Sequence, residues 1–191
     1  DGERAAATVV ELCKTRLPEK MGIPVEHIQV LTPMRKGHLG VEVLNGILQQ
    51  YLNPPDDRKR ECQQGETIYR EGDKVMQIRN NYDIEWESGN GADQTAGSGV
   101  FNGDIGTVMF IDPAEEEMVV SFDDKEATYT GDMLDELEHA WAVTVHKSQG
   151  SEYPIVILPV FNCAQMLLTR NLLYTAVTRA QSMVIVVGSA D

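Results

Sequence analysis

Ala6, Val9, Val10, Cys13 and Leu17 recur at helical spacing between Gly2 and Leu17, with Pro18 and Gly22 behind them as the stop. The chain is therefore predicted to open on an amphipathic helix. His27-Ile28-Gln29-Val30-Leu31-Thr32 is a short apolar-rich run ending at Pro33. Leu39, Val43, Ile47, Leu48 and Tyr51 then share a helical face that Asn53-Pro54-Pro55 closes, so the reading is strand, loop, helix. From Thr67 the texture changes. Short β-like runs at Lys74 to Arg79, Ile105 to Ile111, Met118 to Phe122 and Ala127 to Thr130 are separated by turn signals such as Asp112-Pro113 and Asp123-Asp124, which suits a small antiparallel barrel. Residues 87–99 are rich in Gly, Ser, Asn and Asp and offer too little apolar surface to offset their ordering entropy, so a mobile loop is predicted there. After Glu138 the pattern returns to α/β. Ala140 to Thr144 reads as a buried strand, Val145 to Gln149 as one helical turn, and Ile155-Val156-Ile157-Leu158 as a strand of the kind buried in parallel sheets. Leu167 to Thr178 reads as a helix and Met183 to Val187 as a last apolar strand. The predicted architecture is an α/β domain over 1–66 and 139–191, interrupted by a barrel over 67–138.

Composition bounds what this architecture serves. The chain has 191 residues, 42% of them hydrophobic and 24% charged, enough for one domain with an insertion or for two small ones. Its 16 Lys and Arg stand against 30 Asp and Glu, for a net charge of −14. Spread evenly, that charge would argue against a nucleic-acid protein. It is not even: Asp104 to Glu138 holds twelve acids and one base, Lys125, and the remainder carries only −3. A basic or near-neutral groove can therefore exist outside the acidic island. No apolar run reaches the roughly 18 residues of a membrane span, and Asp1-Gly2-Glu3-Arg4 does not resemble a signal peptide. Cys13, Cys62 and Cys163 form no Cys-x-x-Cys, so neither a disulfide framework nor a zinc knuckle is indicated, and a reducing cytoplasm is the simplest home.

Two segments concentrate chemistry. Thr144-Val145-His146-Lys147-Ser148-Gln149-Gly150-Ser151-Glu152 places hydroxyls, an imidazole, a cation, an amide and a glycine between two apolar strands. Open α/β sheets bind ligands at the carboxyl ends of such strands, and Thr144 can cap a short turn whose free N–H groups suit a phosphate. A capped structural turn is the alternative, but it gives Lys147, Gln149 and Glu152 no packing role. The second segment, Tyr174-Thr175-Ala176-Val177-Thr178-Arg179-Ala180, ends a helix on an arginine. That arginine reads either as a complement to the helix dipole or as a planar, permanent charge offered to a γ-phosphate.

Taken together the two segments resemble motifs V and VI of superfamily-one helicases of the RecD/TraA-like branch. Val30-Leu31-Thr32-Pro33-Met34-Arg35-Lys36-Gly37, with Leu44-Asn45 and Leu48-Gln49, is similar to the motif IV region. Gly72-Asp73-Lys74-Val75-Met76-Gln77 and Phe101-Asn102-Gly103-Asp104-Ile105-Gly106 resemble the beginning of the family's inserted SH3-like barrel. The resemblance implies an α/β, RecA-like parallel sheet interrupted by a small antiparallel SH3-like β-barrel. It also implies the C-terminal half of a longer ATP-dependent 5′→3′ DNA helicase acting in repair or recombination in the bacterial cytoplasm. The family's phosphate loop contains Gly-Lys, a dipeptide this sequence lacks. ATP with Mg²⁺ would then be held mainly by an N-terminal motor domain outside this chain, which by itself is expected to hydrolyse none.

Carried over residue by residue, the resemblance makes Arg179 the arginine finger. It sets Gly150 and Glu152 near the nucleotide, Thr144 and His146 on the single strand's backbone, and Gln149 between the two ligands. Thr32 is expected to hold a further DNA phosphate and Asn102 to meet DNA near the barrel. Phe101 beside Asn102 reads at least equally as core, and Arg35 reads equally as a nucleotide-sensing arginine or as solvated loop charge. No metal ligand set is indicated. Asp112 and Asp123-Asp124 read as turn starts rather than as a Walker B site, and Arg58-Lys59-Arg60 as a solvated linker face. The implied partners are single-stranded DNA, the N-terminal RecA-like domain and a protein for the barrel. A non-catalytic protein- or DNA-binding module from a degenerate helicase relative is the competing reading.

Overall fold

In the computed structural model, which describes residues 2–89, 94–160 and 169–188, the chain divides into two units, Asp1–Pro54 with Trp141–Asp191, and Pro55–Ala140. The first opens with helix α1 (Gly2–Glu11), a π-helical turn (Leu12–Arg16) and α2 (Leu17–Met21). Pro18 does not stop the helix. The widened turn lets the Leu17 N–H reach the Leu12 carbonyl, so Pro18 falls in the first turn of α2, where a missing N–H costs nothing. The stop is Gly22 alone, left-handed at φ 65, with its N–H on Pro18 O and the Ile23 N–H on Leu17 O.

Strand β1 (Ile28–Thr32) is buried at every position, and α3 (Val41–Leu52) follows it. The chain returns to this unit with β11 (Ala142–Thr144), β12 (Tyr153–Pro159), α4 (Arg170–Thr178) and β13 (Ala180–Val187). The strands form one parallel sheet in the order β11-β1-β12-β13. Ile155 and Ile157 join the apolar faces of α1 and α3 and Trp141 in a single core, while Val156 and Leu158 point to the opposite face by strand alternation. Part of the predicted helix from Leu167 lies outside the described residues. The helix that is described begins with Thr169, whose hydroxyl accepts the Leu172 N–H.

The second unit holds hairpin β2 (Glu61–Gln64) and β3 (Thr67–Arg70), then β4 (Lys74–Gln77), β5 (Asn81–Ser88), β6 (Thr95–Val100), β7 (Ile105–Asp112), β8 (Glu117–Phe122), β9 (Lys125–Thr130) and β10 (Leu137–His139). Seven of these form an antiparallel sheet in the order β10-β4-β7-β8-β9-β5-β6. Cys62 and Tyr69 of the hairpin share one buried cluster with Val75, Val108, Met118 and Tyr129, which is why this unit begins at Pro55 rather than at residue 67. Across 87–99, where a loop is expected from composition, Glu87 pairs with Ala96 and Ser88 with Thr95, so hairpin pairing overrides the low apolar content. Residues 90–93 lie outside the described residues. The Arg58-Lys59-Arg60 cluster makes local contacts. Arg58 grips Asp56 through two hydrogen bonds of 2.8 and 2.9 Å, and that contact holds the Asp56 carboxyl down at about 2. Arg60 lies over the Phe110 ring and donates to Ile111 O.

Charge divides sharply between the units. Pro55–Ala140 carries 22 Asp and Glu against 7 Lys and Arg, a balance of −15, while the other unit carries 8 against 9, a balance of +1. The glycine that closes the Asn102-to-Gly106 run has a packing reason: a Cβ on Gly106 would stand 2.6 Å from Ser121 O and 2.8 Å from the Phe122 ring. Gly106→Ala should therefore lower the unfolding free energy by about 1–3 kcal/mol in urea titrations, and an unchanged midpoint would contradict this close approach.

Candidate functional site

The parallel register decides where each expected residue falls. Thr32 pairs with Thr144, so both sit at the carboxyl edge of the sheet. Tyr153 pairs with Ala180 at the amino edge, and Ser151, Glu152 and Arg179 immediately precede those two residues. The six steps of β12 between these edges span roughly 20 Å. Gly150, Glu152 and Arg179 are thus not at the carboxyl end, where open α/β sheets usually collect ligands. Gly150 ends the turn 145–150, which carries the chain from one edge toward the other, and Glu152 and Arg179 lie beyond it.

That turn is built by its own sequence. The Val145 N–H bonds Thr32 O at 3.0 Å, anchoring the turn on β1, and Val145 and Ser148 are buried. The Ser148 hydroxyl donates to Val145 O at 2.6 Å, and Thr144 Oγ1 accepts the Lys147 N–H at 3.2 Å as a cap. His146, Gln149 and Gly150 remain exposed, with Gly150 left-handed at φ 88 to release the chain into β12. His146 and Gln149, with Val145, Thr169, Asn171, Leu172 and Thr175, line a cleft of about 280 Å³. The structure therefore brings Val145, His146 and Gln149 of the turn and the first half of α4 onto one cleft, which Gly150, Glu152 and Arg179 do not line.

Arg179 caps the carboxyl end of α4, where its charge complements the helix dipole. Its Nη1 donates to Ser151 O at 3.2 Å, its carbonyl accepts the Tyr153 N–H at 2.8 Å, and no carboxylate pairs with it among the described residues. Its Nε is buried without a hydrogen-bond partner among the described residues, an orphan donor that an anion would satisfy. Burial raises the Tyr153 phenol above its ordinary value, with a Ser151 hydrogen bond and the Arg179 charge acting in the opposite sense. Glu152 is exposed and accepts from Gln181 Nε2 at 3.4 Å.

Other expected residues fall elsewhere. The Thr32 side chain is fully buried. Its hydroxyl donates to Leu39 O at 2.7 Å and accepts the Met34 N–H at 3.3 Å, so it shapes the loop between β1 and α3 and offers nothing to a phosphate. Arg35 is exposed on that loop and stands 3.9 Å from Glu42. Asn102 is exposed in the second unit, its N–H bonded to Asn80 Oδ1 at 2.9 Å, and Phe101 beside it is exposed rather than core. No group of three His, Cys, Asp or Glu among the described residues could hold a metal ion. No described helix is long and apolar enough to cross a membrane.

A residue with no expected role holds the site's frame. The Asn45 carboxamide donates to Ala142 O at 2.9 Å and accepts the Ala142 N–H at 2.7 Å, pairing both outward-facing backbone groups of the edge strand β11. The motif IV likeness includes it, but only its place among apolar positions of α3 hints at a structural role.

A parallel α/β unit interrupted in sequence by an acidic antiparallel unit, with an arginine presented beside a Gly-Ser-Glu turn, has the features of a superfamily-one helicase motor domain. The chain is similar to RecD-like DNA helicases over two of its segments. It matches the family described as the ATP-dependent RecD-like DNA helicase SH3 domain over residues 44–122 and the UvrD-like helicase C-terminal domain over 139–187. It is 39% identical over 164 residues to the ATP-dependent RecD2 DNA helicase of Deinococcus radiodurans, covering 86% of this chain and 20% of that protein. It is 42% identical over 90 residues to the RecBCD enzyme subunit RecD of Mycobacterium tuberculosis, covering 47% of this chain and 16% of the subunit. The chain thus spans about a fifth or less of these relatives. The fold is that of the Pif1 helicase from Candida albicans, with a TM-score of 0.51 at 16% identity over 95% of this chain and 48% of that one.

Replacing Asn45 with Ala should leave the Ala142 N–H and C=O unpaired and cost about 2–4 kcal/mol of stability in denaturant unfolding. Unaltered stability together with slow exchange of the Ala142 amide would show that β11 needs no such partner.

Proposed function

We propose that this chain is the second RecA-like motor domain, with its inserted SH3-like barrel, of an ATP-dependent 5′→3′ DNA helicase, and that Arg179 is its arginine finger. The observation that carries the reading is the Arg179 guanidinium. It is held at the amino edge by Ser151 O, has no acidic partner among the described residues, and keeps Nε unbonded. A planar, permanent cation in that state suits the charge that develops on a transferring phosphoryl group. Gly150 and Glu152 share its edge and are proposed to lie against the nucleotide, with Arg35 as a further sensor. Thr144 and His146 start from the opposite edge and are proposed to hold the DNA backbone, with Asn102 as a contact on the barrel. Gln149 sits on the turn between them and couples the two.

Bound Mg²⁺–ATP would supply the free energy of phosphoanhydride cleavage, and the proposal assigns most of its binding to an N-terminal RecA-like domain of a longer protein. The sequence lacks the Gly-Lys of a phosphate loop, so this chain by itself is expected to hydrolyse no ATP. Arg179 draws the two motor domains together when a γ-phosphate is present and releases them after hydrolysis, while Thr144 and His146 alternate between tighter and looser holds on the strand. The site is proposed to work in the bacterial cytoplasm on single-stranded DNA. A second reading, a non-catalytic module that meets a protein partner through its barrel, is favoured by the −15 balance of Pro55–Ala140.

In the full-length protein, Arg179→Ala should lower kcat for ATP by about 10³-fold or more while oligonucleotide affinity is largely kept. Lost affinity with intact turnover would move Arg179 to the DNA side. His146→Ala should weaken oligonucleotide binding and flatten its dependence on salt concentration, and an unchanged salt slope would remove His146 from the backbone grip.

A further inference from the structure

Two aromatic rings in the acidic unit are exposed where core positions would be expected. Tyr82 is 65% exposed and Phe101 44% exposed, and their rings meet edge to face with centroids 5.6 Å apart. Isolated exposed rings need no explanation, but a paired set held open on a fixed frame does. The frame here is rigid. Gln77 clamps the loop of Phe101 through two backbone bonds, its N–H on Asp104 O at 2.9 Å and its carbonyl on the Gly103 N–H at 2.8 Å. Its side chain is buried, accepting from Tyr129 OH at 2.8 Å and donating to Glu136, which also accepts from Asn81 beside Tyr82. Asn80 Oδ1 ties the two loops by accepting the Asn102 N–H, and Asp104 accepts the Phe101 N–H at 2.9 Å.

The chemistry around the rings selects the ligand. Exposed Arg79 and Asn80 precede Tyr82 in the chain and exposed Asn102 follows Phe101, so a guanidinium and two carboxamides lie on the same two segments as the rings. The unit as a whole, at −15, repels phosphates, so it can gain little from counterion release. Base stacking is a contact that such a unit can still offer, because every nucleobase presents a π-face and the contact itself draws nothing from the charge of the phosphates. The geometry points to Tyr82 and Phe101 as a pre-organised stacking platform for an unpaired base of single-stranded DNA. This inference rests on the DNA-helicase reading and adds to it the moiety recognised, the base rather than the phosphate.

The test uses the 191-residue chain with fluorescein-labelled oligo(dT) and a matching abasic oligomer, followed by fluorescence anisotropy at low and high salt. Tyr82→Ala/Phe101→Ala should weaken oligo(dT) binding about ten-fold or more, by the same factor at both salts, and should leave abasic-oligomer binding unchanged. Tyr82→Phe/Phe101→Tyr, which keeps both rings, should bind as the wild type does. Because both rings are exposed, the alanine variant should retain the wild-type circular dichroism spectrum. If the alanine variant binds oligo(dT) normally while His146→Ala weakens it, the platform is wrong, the DNA reading stands, and the rings belong to a protein surface. A loss that appears equally with the abasic oligomer would also overturn it, by assigning the contact to the backbone. If the wild type itself binds no oligo(dT), the platform and the DNA grip of this chain fall together.

Discussion

The carboxamide of Asn45, exchanging two hydrogen bonds with Ala142, is the constraint on which the site depends. Strand β11 is only three residues long and lies at the edge of its sheet, so one side of it faces no other strand. A strand that short, paired on one side, would fray. Asn45 supplies from helix α3 the donor and acceptor that another strand would have given, and the turn 145–150 leaves β11 in a fixed direction. The Val145 N–H on Thr32 O then secures the turn to β1, and the exposed His146, Gln149 and Gly150 are presented on an anchored segment.

The second constraint is register. Since Thr32 and Thr144 are level at one edge and Tyr153 and Ala180 at the other, the residues proposed for DNA and those proposed for nucleotide are separated by the length of a strand. They are nevertheless joined by one short covalent segment. On the function proposed above, that segment is the route by which a change in the hold on DNA would reach Ser151, whose carbonyl accepts from Arg179. The two units differ as sharply in charge, +1 for the first and −15 for the second.

The apolar runs made the sheet legible. Ile28 to Thr32 and Ile155 to Leu158 carry few polar residues, because a parallel strand buried on both faces has little room for them, while the equally apolar Met183 to Val187 forms the edge strand and is only partly buried. The chemistry-bearing segments were also legible, since exposed polar side chains clustered between such strands have few packing roles to play. What the sequence hid was long-range pairing. Residues 87–99 read as a loop because nothing local reveals that Glu87 meets Ala96, and the Pro18 helix break failed because a π turn absorbs the missing N–H. Thr32 looked like a ligand-facing hydroxyl at a strand end, yet its partners, Leu39 O and the Met34 N–H, come from a loop whose path no periodicity encodes. Asn45, quoted only within the motif IV likeness, was given no role and Tyr82 was overlooked for the same reason: a buried amide and an exposed ring look ordinary until their neighbours are known.

The central claim is that the turn 145–150 links events at the two edges of one sheet. Its most direct measurement is the ratio of DNA-stimulated to basal ATP turnover in the full-length protein carrying Gln149→Ala, a change at an exposed position. The account predicts that this ratio falls about five-fold or more, with basal turnover and oligonucleotide affinity each little changed. A ratio equal to that of the unaltered protein would contradict it.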